Sequence, residues 1–299
     1  WMSVEDSGLR TRARYETDTA SNTALHIDVG NIDADAPLEA VAVWGEDRRV
    51  PSRGWSTRVV SRVLEINGDG LQAEGAPSNR YLRIVDDRLL AQSAGEFTVF
   101  KGPVQRLVPR GEGFSADERA ALWDDYGLYE LTPTGEGRAA TWNDPQTLAV
   151  ATTKGPISTA RRLADLGSID FPSVQVRFKN PGFGGLGLSL SGKQEVDRKA
   201  ALPRRVLVGA DGALYTIQRR RAAALPGLSR PQGRDSVVRW RPEDSGAGAT
   251  PIHEPVNAYI LDFALIEAKD DTRGVVLLLN ERPDGSGAAS LHIVRHDDS

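Results

Sequence analysis

Leu25-His-Ile-Asp-Val-Gly-Asn-Ile-Asp-Ala-Asp-Ala-Pro-Leu-Glu-Ala-Val-Ala-Val43 carries the pattern that decides the fold. An apolar stretch enters a loop with an acid or amide at alternate positions, and a second apolar stretch leaves it. The same strand–loop–strand order returns at Leu128–Ala140 and at Tyr259–Leu279. Arg205–Ile217 repeats it with a shortened loop, and Tyr81–Leu90 repeats it more weakly. Five first strands beginning near residues 25, 81, 128, 205 and 259 mark out five units of unequal length. Recurrence of one small β unit is the signature of radial or stacked repeat folds.

The rest of the chain agrees with a β reading. Thirty glycines and 17 prolines cut it into short pieces. Between them lie twelve runs rich in Val, Ile, Leu, Thr and Tyr: Leu38–Trp44, Thr57–Ile66, Tyr81–Val85, Val104–Val108, Thr147–Thr152, Val174–Phe178, Arg205–Val208, Leu214–Gln218, Ser236–Trp240, Tyr259–Ile266, Val275–Leu279 and Leu291–Arg295. Several alternate with period two, which marks strands. Two short helices are expected: one after the capping box Ser115–Glu118 and running to Trp123, the other over Thr159–Leu166 before Gly167. No alternation of strand with helix runs through the chain, so the class is all-β. The expected architecture is one β-propeller over residues 1–299, with five blades. Thr11–Glu16 is expected to supply the outer strand that the last unit lacks, so that both termini close the ring and no sheet edge stays free. A pair of tandem β-sandwiches divided near residues 165–200 is the alternative.

Composition removes most familiar chemistry. The 37 Lys and Arg nearly balance 41 Asp and Glu, for a net charge of −4, which argues against nucleic-acid binding through bulk positive charge. There is no cysteine, so disulfides, thiolate-bound metals and thiol catalysis are excluded. No apolar run approaches the roughly 18 residues of a membrane-spanning helix. The chain opens on Trp1-Met2 without an apolar leader, which suggests the C-terminal part of a longer or processed protein.

The run Asn31–Val43 resembles the strand–loop–strand of FG-GAP/VCBS-repeat β-propellers, whose loop reads Asp-x-Asp-Gly-Asp-Gly-x-x-Asp/Glu before an apolar strand. The succession from Tyr81 through Leu89 and Phe100 to Leu107, with Tyr259–Ala264 near the end, is similar to VCBS-repeat proteins of bacterial cell envelopes. The resemblance implies a propeller that is exported to the periplasm, the outer-membrane surface or beyond the cell, as part of a larger assembly.

One loop has ligand spacing. Oxygens at positions 1, 3, 5 and 9 of a turning loop, with a backbone carbonyl at 7, converge on a hard cation. Here those positions are Asn31, Asp33, Asp35, Glu39 and, for the carbonyl, Pro37. The expected ion is structural Ca2+. An EF-hand is ruled out, since its position 12 falls on Ala42. Ala36 stands where the resembled family has glycine, which implies strain if the backbone there takes a positive φ. The aligned loops have lost this pattern: Thr132, Thr134, Glu136 and Ala140 in one, Glu267, Lys269 and Asp271 in another. Those are expected to be held by hydrogen bonds or salt bridges.

Other motifs lack their context. Gly182–Gly187 satisfies GxGxxG and Gly187–Lys193 opens like a P-loop, but Gln194 replaces the hydroxyl residue that would reach Mg2+ and no βα pattern carries either. Asp28 and Asp262, acids within first-strand segments, are the pair to weigh for glycoside hydrolysis. Trp1, Trp44, Trp55, Trp123, Trp142 and Trp240 do not recur at one repeat position and are expected in the core rather than as a sugar-stacking set. Arg219–Arg221 reads as a solvated strand end or a partner-docking patch. Together these readings point to a non-catalytic scaffold or protein-interaction module, with a carbohydrate-binding propeller or a glycosidase-like enzyme as alternatives.

Overall fold

The computed structural model describes residues 2–5, 8–11, 13–15, 22–35, 37–50, 54–68, 70–96, 98–111, 113–120, 123–124, 126–135, 137–144, 147–152, 159–162, 175–178, 198–221, 233–241, 248–268, 271–280 and 289–295. All regular structure in them is β apart from single turns. Among the described residues no helix is long and apolar enough to cross a membrane.

Strands β1 (Met2–Glu5) and β2 (Gly8–Thr11) form a hairpin. Sheet 1 follows, with β3 (Asn22–Gly30), β4 (Leu38–Val50), β5 (Gly54–Asn67) and β6 (Gly70–Ser78). Sheet 2 holds β7 (Arg80–Val85), β8 (Arg88–Ala94), β9 (Phe100–Arg110) and β10 (Gly113–Arg119). Sheet 3 holds β11 (Leu131–Gly135), β12 (Arg138–Asp144), β13 (Thr147–Thr152) and β14 (Thr159–Arg162). A second hairpin pairs β15 (Gln175–Phe178) with β16 (Arg198–Ala201). Sheet 4 holds β17 (Leu207–Val208), β18 (Leu214–Arg221), β19 (Gly233–Trp240) and β20 (Thr250–Pro251). Sheet 5 holds β21 (Tyr259–Ala268), β22 (Asp271–Asn280) and β23 (Ala289–Arg295).

Each of the five sheets is an antiparallel meander in sequence order, the blade unit of a propeller. The fold is a five-bladed β-propeller. Its first strands fall near where the repeats place them, and ten of the twelve apolar runs lie wholly in strands; of Arg205–Val208 only Leu207–Val208 is strand, and Val174 lies outside the described residues.

Burial explains the runs. In β8, Leu89, Leu90, Ala91 and Gln92 are all buried, and in β18 burial is continuous from Leu214 to Arg219. Central strands covered on both faces read as continuous apolar runs rather than alternating ones. Two compact units emerge: residues 1–129 with 174–202, and 130–173 with 203–299. In the second unit, Leu148, Val150, Val206, Leu214 and Trp240 pack sheet 3 against sheet 4. Tyr215, Ile217, Val237, Ile260, Phe263, Val275 and Leu277 pack sheet 4 against sheet 5. In the first unit, Tyr81 meets Phe100 and Tyr129 edge to face, with ring centroids 5.0 and 5.8 Å away.

Three expectations are corrected. Ser115 and Ala116 pair with Val108 and Leu107 as part of β10, with a bulge before Glu118, and Trp123 takes part in tight turns, donating its N–H to the Ala120 carbonyl at 2.9 Å and accepting the Tyr126 N–H at 3.1 Å. A four-residue capping signal is weak beside a full ladder to β9. Thr159–Arg162 is strand β14, and residues 163–166 lie outside the described residues. The closing strand also differs. Thr11 pairs with Met2 inside the first hairpin, and sheet 5 contains three strands among the described residues. Gly182–Lys193 lies outside the described residues.

Candidate metal centre

The loop between β3 and β4 is built by its own polar side chains. Asn31 accepts a hydrogen bond on Oδ1 from the Ala34 N–H (2.7 Å) and donates from Nδ2 to the Asp35 carbonyl (2.6 Å). Asp33 Oδ1 accepts from the Asp35 N–H (3.1 Å), and Glu39 Oε2 accepts from the Ile32 N–H (2.7 Å). The neighbouring hairpin turn anchors the entry, because Asp87 Oδ1 accepts from the Asn31 N–H at 3.1 Å. That turn places Asp86 and Asp87 at φ 49° and 54°, the left-handed pair typical of a two-residue hairpin.

These bonds bring three carboxylates together. One oxygen each from Asp33, Asp35 and Glu39 lie within 4.8 Å of one another. Asp33 and Asp35 are exposed, whereas Glu39 is only 1% exposed. Its second oxygen, Oε1, is buried with no hydrogen-bond partner. A buried unpaired carboxylate oxygen costs energy unless a cation or donor meets it, so this donor set fits a hard divalent ion. Asn31 serves chiefly to close the turn, and Pro37 sits half-buried in the bend before β4.

A left-handed residue stands at position 4: Ala34 has φ 66°. Ala36 lies outside the described residues. An alanine in this region costs about 1–2 kcal/mol, partly offset by the greater chain entropy that glycine loses on folding. Ala34→Gly is therefore expected to stabilise the protein by about 0.5–1 kcal/mol, read as a shift in the urea midpoint.

Sequence reasoning missed two further acids. Glu65 of β5 lies directly opposite Glu39, and Glu74 of β6 lies opposite Val63, so Glu39, Glu65 and Glu74 share one face of sheet 1. The signal was period two: Val63 and Glu65 are two apart on β5, but the cross-strand register was not readable. Burial pushes the Glu39 carboxyl up, against the Ile32 N–H that pulls it down, with Asp33 and Asp35 adding to the rise. Partial loss of hydration beside its neighbours, then the Asp33 charge and hydrogen bond, also raise Asp35, although its side chain is exposed. Glu74 is pushed up to about 7 by burial, then by Glu39 and Glu65.

A carboxyl raised in the folded state binds its proton more tightly there than in the unfolded chain. Glu74 therefore contributes stability at acid pH that is lost as pH rises from about 4.5 through about 7. In chelator, stability is expected to fall across that window by about 1 kcal/mol, after discounting for solvent screening. Urea midpoints measured from pH 5 to 8 should fall more steeply in wild type than in Glu74→Gln, with the difference concentrated toward pH 7.

The remaining candidates have structural partners. Asp28 Oδ2 lies 2.7 Å from His26 Nε2 and accepts from the Ile84 N–H at 3.0 Å, tying β3 to β7. Asp262 Oδ1 pairs with Arg205 Nε at 3.0 Å and accepts from the Phe263 N–H at 2.9 Å. Arg219 corrects the surface-patch reading. It is 6% exposed, and its guanidinium pairs with Asp235 at 3.0 Å and donates to the Ile260 carbonyl at 2.6 Å. Trp44, Trp123 and Trp240 are buried, and Arg204 lies over the Trp142 ring at 4.9 Å. Trp1 and the side chains of Trp55, Arg220 and Arg221 lie outside the described residues. In the second repeat, Thr132 and Thr134 belong to β11, so its turn is shorter than the Asn31–Glu39 loop. In the shortened repeat, Asp211 is held by Arg239 Nε at 2.8 Å and by Arg241 Nη2 at 3.3 Å. No family model matches this chain, and no curated protein matches it.

Proposed function

We propose that this chain is a non-catalytic β-propeller scaffold or protein-interaction module of the bacterial envelope or an extracellular assembly, braced by one structural Ca2+. The observation that carries the metal assignment is the convergence of Asp33, Asp35 and Glu39, with the buried Glu39 Oε1 left for a ligand. The ion's part is structural: it would join the Asn31–Glu39 loop to the start of β4 and neutralise carboxylates that the fold holds together. The resemblance to FG-GAP/VCBS-repeat propellers supports the same ion, the export and the scaffold role. The glycosidase reading is weakened because Asp28 is held by the His26 ring and the Ile84 N–H, and Asp262 by Arg205 and the Phe263 N–H.

Linkage gives the test. A ligand that binds only the folded state stabilises it by RT ln(1 + [L]/Kd), about 2.7 kcal/mol at one hundred times Kd. Calcium is expected to raise the melting temperature, magnesium to raise it much less, and Asp33→Ala/Asp35→Ala to abolish the gain. An unchanged melting temperature in calcium and in chelator would remove the metal from the account. Turnover of polysaccharides that disappears in Asp28→Asn or Asp262→Asn would replace the scaffold reading with a hydrolase, and a positive glycan array would replace it with a lectin.

A further inference from the structure

We propose that the calcium site is not confined to the Asn31–Glu39 loop: Glu65 of β5 and Glu74 of β6 complete it, so that one ion clamps the loop to three neighbouring strands. The inference rests on the metal reading above and extends it to residues outside the loop motif. Three observations support it.

The first is register. Glu39 and Glu65 are directly opposed on β4 and β5, and Glu74 is the diagonal neighbour of Glu65 on β6. Directly opposed side chains on one sheet face have Cβ atoms about 4.5–5.5 Å apart, and diagonal neighbours remain within reach of long side chains. The second is charge. The loop carboxylates of Asp33, Asp35 and Glu39 lie within 4.8 Å of one another, and Glu39 faces a second carboxylate, Glu65, directly across the ladder. Like charges directly opposed destabilise a sheet, so this face is costly as it stands and favourable around a divalent cation. The third is the buried oxygen. Glu39 is nine-tenths buried and more, and its unpartnered Oε1 lies in the strand that joins the loop acids to Glu65.

Calcium takes six to eight oxygens, more than Asp33, Asp35 and Glu39 supply unless several bind through both oxygens or water fills the gaps. Glu65 and Glu74 supply the balance, either on the ion or on waters bound to it. Their part gives the site a reach that a single loop lacks: loading it orders the hairpin between β5 and β6 as well.

Calorimetric titration with calcium alone tests this in the intact chain, using wild type, Asp33→Ala/Asp35→Ala and Glu65→Gln/Glu74→Gln. The glutamine pair is expected to weaken calcium binding by about 10- to 100-fold, the usual effect of removing outer-shell partners. In chelator the same protein should melt no lower than wild type, because two repelling charges are gone and the side-chain shape is kept. Hydrogen exchange at the β5 and β6 amides should slow on adding calcium to wild type, and slow much less in the glutamine pair. Wild-type affinity in the glutamine pair, with binding lost in Asp33→Ala/Asp35→Ala, overturns the three-strand clamp and leaves the loop site standing. Absence of calcium binding by wild type overturns both.

Discussion

Replacing Asp235 by alanine is expected to destabilise the protein by about 3–5 kcal/mol, the cost of breaking a buried ion pair from one side. Asp235 is 1% exposed and sits 3.0 Å from the Arg219 guanidinium, itself 6% exposed. The same carboxylate accepts the Ile260 N–H at 2.8 Å, while Arg219 donates to the Ile260 carbonyl at 2.6 Å. One ion pair thus serves both backbone groups of Ile260 at the start of β21 and ties β18 and β19 to it. Burial pushes the Asp235 carboxyl up to about 6, with Arg219 and the Ile260 N–H pulling it back. Truncation leaves a guanidinium without its partner in the core and a buried N–H without an acceptor. Asp235→Asn keeps an acceptor for Ile260 and should cost less. Arg219→Met/Asp235→Leu should recover much of the loss, since a buried pair also carries the cost of desolvating both charges. Urea midpoints for the four proteins separate these outcomes. A loss below about 1 kcal/mol in Asp235→Ala would mean that the pair is open to water.

Tyr81→Ala is expected to cost about 3–5 kcal/mol, the range for removing a large aromatic side chain from a packed core. Tyr81 is 0% exposed on β7, between the edges of Phe100 and Tyr129. Tyr129 in turn lies 4.4 Å from the His26 ring and donates from its hydroxyl to the Leu82 carbonyl at 2.8 Å. Loss of the Tyr81 ring therefore opens a cavity beside the contacts that join sheets 1 and 2. Tyr81→Phe keeps the ring and should stay within about 1.5 kcal/mol of wild type. Equal losses in the two variants would place the energy in the hydroxyl rather than in packing.

The fold was legible because its strands are written twice, once as apolar runs and once as repeats. Leu89–Ala91 and Leu214–Ile217 are continuous because their strands are covered on both faces. The capping box at Ser115 misled because local hydrogen bonds to the backbone compete poorly with a neighbouring strand that pairs residue by residue. The Asn31–Glu39 loop was legible because its ligand spacing lies within nine residues. Glu65 and Glu74 were not, since their place beside Glu39 depends on register across two hairpins. Arg219 was misread for a related reason. Three consecutive arginines at a strand end look solvated, and only pairing with Asp235, sixteen residues on, puts the first in the core.

The proposed cation among Asp33, Asp35 and Glu39 can be tested by isothermal titration of the metal-free protein with calcium. One ion per chain should bind saturably, more weakly for magnesium, and binding should be lost in Asp33→Ala/Asp35→Ala. Titration heats no larger than those of dilution, in a protein that remains folded, would contradict it and leave the loop an acidic turn held by its own hydrogen bonds.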